Sequence, residues 1–181
     1  VVGKNKILNK NKIKENDLVI AIPSNGLHSN GYSLVRYLLD KKKINIKKNN
    51  FLKNELLRPT KIYVKEVLKL INKDLINGCA NITGGGLADN IKRVIPKNLV
   101  ANIYLKQVKI SRIFEWLYEN GISEKEMLKT FNCGVGFCLI VNPKKYEKIK
   151  RYFSKQFKPY VIGKISKGKN KVKLNGSIKW I

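Results

Sequence analysis

Apolar and polar positions in this chain follow two periods, and the switches between them mark its elements. Asp17–Ile22 is an almost unbroken apolar run, the pattern of a strand buried on both faces, and Pro23 ends it. Tyr32, Val35, Leu38 and Leu39 recur at helical spacing and predict a helix over Tyr32–Asp40. Lys41–Asn54 lacks such a stripe and predicts a polar connection. Pro59-Thr60 is a start signal for a longer helix, with Val64, Val67, Leu68 and Ile71 on one face and Asn77-Gly78 at its close. Cys79–Thr83 reads as extended. Leu87–Ile95 reads as a helix with Leu87, Ile91, Val94 and Ile95 inward, stopped by Pro96. Leu99–Leu105 is a strand candidate. Ser111 is a candidate cap for a helix carrying Ile113, Trp116 and Leu117, and Ser123-Glu124-Lys125-Glu126 is a capping box. Gly134–Val141 is a strongly apolar strand. Asn142-Pro143 opens a helix with Tyr146, Ile149, Phe153 and Phe157 at helical spacing, and Tyr160–Ile165 is a strand. Lys171–Leu174 and Ser177–Ile181 are extended segments around Asn175-Gly176, a hairpin signal. Val1–Asn16 predicts a hairpin or an irregular lead-in.

Helices alternating with four or more strands define an α/β (α+β) protein. No repeat or low-complexity linker divides the chain, so residues 1–181 read as one domain, long enough to bury one sizeable core. No apolar run reaches the length of a membrane span and no signal-peptide pattern opens the chain. Cys79, Cys133 and Cys138 follow no metal spacing and read as reduced core or near-core thiols of a cytoplasmic protein. The net charge of +26 admits a nucleic-acid or anionic-membrane binder. Yet of 38 basic residues only five are Arg, the residue whose fork reads bases. The lysines are also spread along the chain beside abundant Asn and Ile, which points to compositional drift on solvated faces. A phosphate-bearing substrate is attracted by the same field.

The chemistry concentrates in Ser24–Arg36, S-N-G-L-H-S-N-G-Y-S-L-V-R, where a strand ends and a helix begins. It holds the single His. Gly31 permits close backbone approach to a ligand and Asn30 is a plausible N-cap. Free N–H groups at such a junction bind phosphate or carboxylate, although a plain strand–turn–helix link explains the same residues. Ile82–Asn90, I-T-G-G-G-L-A-D-N, is a second such junction, its three glycines implying a tight bend or a ligand contact. His28 has an unperturbed pKa suited to acid or base work, and equally suits a structural hydrogen bond in the turn. The 12 acidic residues form no metal-like cluster; Asp89, beside the glycines, also suits the first turn of a helix. No P-loop and no nucleophilic triad is present.

These two stretches, with Leu57–Lys65 (L-R-P-T-K-I-Y-V-K) and Phe131–Gly136 (F-N-C-G-V-G), resemble the C-terminal domain of aminoimidazole ribonucleotide synthetases, the phosphoribosylformylglycinamidine cyclo-ligases. The likeness runs from about Val1 to Ile165. It implies a mixed sheet flanked by helices. It also implies ATP-dependent closure of formylglycinamidine ribonucleotide to aminoimidazole ribonucleotide. ATP and Mg2+ would be held mainly by an N-terminal domain, in a homodimer with the cleft between domains. Family chains are about twice as long in outline, and Val-Val-Gly-Lys reads like mid-protein, so the N-terminal domain is expected to lie outside this chain. Carried onto this sequence, the likeness makes His28 the catalytic candidate. Ser29, Asn30, Gly84, Gly85 and Gly86 would contact substrate or phosphate, with Thr83 and Asn132 as further candidates. No residue is expected to bind a metal. One departure is Asn81, where the family commonly has His; Asn hydrogen-bonds but cannot shuttle a proton at neutral pH. Another ATP-dependent member of the superfamily and a basic nucleic-acid module are the alternatives.

Overall fold

The apolar run after Asp17 forms β1 (Leu18–Pro23), whose four inner residues are all buried. The structure is a computed structural model that describes residues 7–169 and 171–180. The other strands are β2 (Gly78–Asn81), β3 (Leu99–Tyr104), β4 (Val135–Val141), β5 (Tyr160–Lys167) and β6 (Lys171–Asn175). They form one sheet in the order β2-β4-β1-β5-β3-β6. Every pairing is antiparallel except β3 with β6, where Val100 aligns with Lys171 and Tyr104 with Asn175.

Side-chain alternation splits β1 between two cores. Val19 and Ala21 join a large cluster on one face. It is built with α1 (Tyr32–Lys41), α2 (Asn50–Leu56), α4 (Gly86–Lys92), α5 (Arg112–Glu119) and α6 (Glu124–Thr130). Ile20 and Ile22 point the other way, into a smaller cluster with α3 (Val64–Asn72) and α7 (Tyr146–Lys150). Helices thus cover both faces, in keeping with the helix-flanked mixed sheet that the resemblance implies.

Several boundaries differ from the sequence expectation. The Lys41–Asn54 connection contains most of α2. Asn49 caps it by accepting from the Leu52 N–H, and Leu52 and Leu56, one turn apart, are buried. Phe51, Leu52 and Leu56 among lysines and asparagines were too few to show a stripe. α3 begins at Val64 rather than at Pro59-Thr60 and buries Val67 and Leu70, leaving Val64 and Leu68 exposed. Apolar residues surround this helix, so spacing alone did not settle which stripe meets the sheet. α7 ends at Lys150, before Phe153 and Phe157. Asn175-Gly176 is not a hairpin: β6 joins β3, and residues 177–180 form no strand. Ile178 is buried there, Trp180 stacks on Tyr118 at 4.4 Å, and its Nε1–H donates to Glu124 Oε2 at 2.7 Å. Of the lead-in, residues 7–16 hold a short 3-10 turn at Lys10–Lys12 and no strand; residues 1–6 lie outside the described part. No helix among the described residues is long and apolar enough to cross a membrane.

Candidate active site

Four stretches distant in sequence meet beyond the C-terminal end of β1. The loop Ser24–Gly31 lies at the centre. Ser24 N–H donates to Gly134 O at 2.8 Å. Asn132, with no exposed surface, ties the two together. Its Oδ1 accepts from Ser24 Oγ (3.0 Å) and Gly134 N–H (2.9 Å), and its Nδ2 donates to Gly26 O (2.9 Å). Asn25 anchors the loop on the Leu57–Lys65 segment, donating to Pro59 O (2.9 Å) and accepting from Lys61 N–H (3.2 Å). Ser29 and Thr60 bring their hydroxyl oxygens to 3.4 Å. Tyr63 donates to Pro23 O at 2.8 Å, and its hydroxyl would lie 1.9 Å from any Cβ on Gly136, so only glycine lets β4 pass beneath this ring.

The loop conformation is strained. His28 and Ser29 are consecutive non-glycine residues in the left-handed region, with φ of 53° and 59°. Such residues cost on the order of 1–3 kcal/mol each and persist where neighbours fix them. Here Asn30 Nδ2 donates to His28 O at 2.8 Å, and the His28 ring is clamped against Asn25, Tyr63 and Gly136. Asn30 is therefore a loop brace rather than an N-cap; Gly31, at φ 76°, occupies the cap position of α1 with no side-chain bond. Gly31 is also pressed against Phe131 rather than open to a ligand.

The glycine loop is built similarly. Asn90, buried in α4, donates to Gly86 O (2.8 Å) and to Thr83 O and Gly84 O (3.3 Å each), while its Oδ1 accepts from Thr83 Oγ1 at 3.1 Å. Gly85 and Gly86 have φ of 94° and 63°. The two loops adjoin: a Cβ on Gly84 would stand 3.7 Å from Asn30 Oδ1.

The site residues expected from the sequence thus divide into two sets. Ser29 and Gly84 are exposed, and Asn30 and Gly85 are half-buried beside them, so these four present polar atoms at the surface. Thr83, Gly86 and Asn132 are committed to internal contacts, and His28 is buried with its Nε2 engaged. Burial, followed by the charge of Lys61, lowers the His28 pKa to about 4, so its ring is neutral at pH 7. Lys61 itself lies 4.0 Å from the Phe157 ring centre and 3.8 Å from Glu66. Asn81 is exposed at the end of β2, on the wall of an apolar groove of about 280 Å³ with Tyr63 and Phe137. Burial holds the Cys133 thiol up to about 12 and raises that of Cys138 further, so neither is a nucleophile. Asn90 and Lys61 were not singled out from sequence, and Asn25 stood out only as one of several polar residues of its loop; in a chain rich in Asn and Lys their residue types carry little signal.

N–H groups, hydroxyls and amides around a neutral imidazole suit a phosphate-bearing ligand. No cluster of three metal-capable side chains exists among the described residues.

Sheet, helices and converging loops define a C-terminal domain of AIR-synthase type. The chain belongs to that family: residues 14–175 match the AIR synthase related protein, C-terminal domain. It is 42% identical over 175 residues to a phosphoribosylformylglycinamidine cyclo-ligase of Clostridium botulinum, covering 96% of this chain and 53% of that protein. A chloroplastic/mitochondrial cyclo-ligase of Vigna unguiculata is 42% identical over 174 residues, covering 93% and 45%. The chain thus spans about half the length of these relatives. A crystal structure of thiamine-monophosphate kinase from Stenotrophomonas maltophilia shares the fold, with a TM-score of 0.65 and 16% identity over 97% of this chain and 55% of that one.

Proposed function

We propose that this chain forms the C-terminal wall of a phosphoribosylformylglycinamidine cyclo-ligase in purine synthesis. The observation that carries the reading is the 42% identity to proteins of that name across nearly the whole chain. The meeting of the four motif stretches in one site agrees with it.

In the reaction so assigned, the formyl oxygen of formylglycinamidine ribonucleotide attacks the γ-phosphorus of ATP and ADP leaves. An internal nitrogen then attacks the formyl carbon, phosphate departs with the oxygen, and the imidazole ring closes. Surface polar groups of Ser29 and Gly84, flanked by half-buried Asn30 and Gly85, hold the phosphate of substrate or the transferring group. Thr83, Gly86 and Asn132 keep those loops in place from inside. His28, uncharged at pH 7, acts as a hydrogen-bond acceptor or proton acceptor, not as a cation for phosphate. Asn81 contributes a positioning contact only.

ATP is the second substrate. The carboxylates needed for Mg2+ come from the enzyme's own N-terminal domain, this chain's principal partner, and the assembled enzyme is a cytoplasmic homodimer. The test is ADP release on mixing this chain with such a domain, with and without formylglycinamidine ribonucleotide, alongside calorimetric binding. Substrate-dependent ADP release only in the mixture is expected. No binding and no turnover in the mixture, with salt-steep RNA binding instead, overturns the reading.

A further inference from the structure

Asn25 sits at a crossing of hydrogen bonds that fixes which end of its amide is which. One end faces the Pro59 carbonyl at 2.9 Å and must be the NH2. The other faces the Lys61 N–H at 3.2 Å and must be the oxygen. That oxygen lies 2.6 Å from His28 Nε2. Two lone pairs do not approach so closely, so Nε2 carries the hydrogen. The competing contact, Asn25 N–H to the same nitrogen, is longer at 3.3 Å and gives way. In a neutral imidazole a hydrogen on Nε2 leaves the lone pair on Nδ1.

We propose that Asn25 is the positioning residue of this site: it locks His28 as the neutral Nε2–H tautomer and makes Nδ1 its proton-accepting atom. The surroundings support the neutral form from each side. Lys61 brings a positive charge, only partly offset by Glu66 at 3.8 Å. Arg58, on the far side of Asn25, donates to its backbone carbonyl at 3.1 Å and has its charge paired with Glu55 at 2.5 Å. Tyr63 packs its ring 5.9 Å from the imidazole, and its hydroxyl, raised in pKa by burial, stays protonated. From β4 the ring meets the backbone of Gly136. No carboxylate is among these contacts to stabilise an imidazolium. Asn25 also fastens the left-handed His28–Ser29 turn to Pro59 and Lys61, so one amide sets both the place of the ring and its tautomer.

The role of Nδ1 in turnover rests on the ring-closure reading; the tautomer does not, and it can be measured alone. With a single His in the chain, a 15N-labelled sample shows one pair of ring nitrogens. Near pH 7 we expect a protonated Nε2 and a bare Nδ1, with a titration midpoint near 4. In Asn25→Asp the carboxylate accepts the same hydrogen and stabilises the cation, so the midpoint rises by about one unit or more. In Asn25→Ala the single tautomer becomes a mixture. A bare Nε2 in the unmodified chain, or an unchanged tautomer in Asn25→Ala with a native-like amide spectrum, overturns the proposal. In the mixture with the N-terminal domain, Asn25→Ala is expected to lower kcat about tenfold or more with KM for ATP little changed. Unaltered kcat beside an altered tautomer removes the catalytic consequence. Absence of ring closure by the unmodified mixture counts against the enzyme reading instead.

Discussion

Gly31 lies against the ring of Phe131 so closely that a Cβ on it would stand 2.2 Å from Phe131 Cε1. Phe131 is fully buried and cannot withdraw, and Gly31 itself has φ 76°. Gly31→Ala is therefore expected to destabilise the fold by on the order of 3 kcal/mol, from backbone strain and overpacking together. Gly121 provides the comparison: its φ is 103°, but nothing lies within 4 Å of its missing Cβ. Gly121→Ala should cost only about 1 kcal/mol. Urea unfolding of the two variants measures the difference, and equal midpoints would refute the packing argument.

Asn132→Ala removes the two hydrogen bonds that join the Phe131–Gly136 stretch to the Ser24–Gly31 loop, and a third, from Gly134 N–H, that braces the stretch itself. The Gly26 carbonyl and Gly134 N–H lose their Asn132 contacts, and a buried group left unpaired costs about 1–3 kcal/mol. We expect a stability loss of that order and, in the assembled enzyme, a rise in KM for the ribonucleotide as the loop loosens. A variant as stable as the parent would mean that water replaces the amide without loss.

Titration of His28 should make stability pH-dependent. Its pKa is about 4 in the folded chain and near 6.5 when exposed. Below pH 6.5 the unfolded chain takes up a proton that the folded chain refuses. The stabilising contribution is therefore complete above pH 6.5 and is lost as pH falls toward 4. His28→Asn, whose replacement tolerates the left-handed backbone, lacks this slope. Denaturation midpoints of both proteins between pH 7 and 4 should converge as pH falls; parallel curves would sink the assignment.

Gly84 and Gly86 separate binding from folding. A Cβ on Gly84 meets only Asn30 Oδ1, at 3.7 Å, whereas one on Gly86 would lie 2.0 Å from the Leu128 carbonyl oxygen. Gly84→Ala should fold with stability within about 0.5 kcal/mol of the parent yet crowd the proposed phosphate site, weakening phosphate binding measured by calorimetry. Gly86→Ala should fail to fold stably. Undiminished phosphate affinity in Gly84→Ala would move the binding site elsewhere.

The elements visible in the sequence are those whose signals are local. Asp17–Ile22 is apolar at successive positions because β1 is covered on both faces, and Leu87 with Ile91 marks a helix over a single face. Where the deciding contact is distant, local signals misled. Asn175-Gly176 has the chemistry of a hairpin, but burial of Ile178 and the seat of Trp180 on Tyr118 outweigh it. The inward face of α3 depends on where β1 and β4 present Ile20, Ile22 and Leu139, which its own spacing does not contain. For the site, the loops were legible as glycine-rich junctions, and the resemblance joined them. Asn25 and Asn90, which hold those loops, are ordinary asparagines among many.

The strand order also has a bearing on synthesis. β1 pairs with β4 and β5, both far later in the chain. A growing polypeptide that has emerged only through α5 carries β1 with two oily faces and two open edges, and neither neighbour yet exists. Such a strand is a sticky intermediate, prone to join another copy, until the residues of β5 leave the ribosome. The pocket shares that delay, because Asn132 and Gly136 are among the last of its parts to arrive. How long β1 stays uncovered is thus set by the order of synthesis rather than by the packing of the finished sheet.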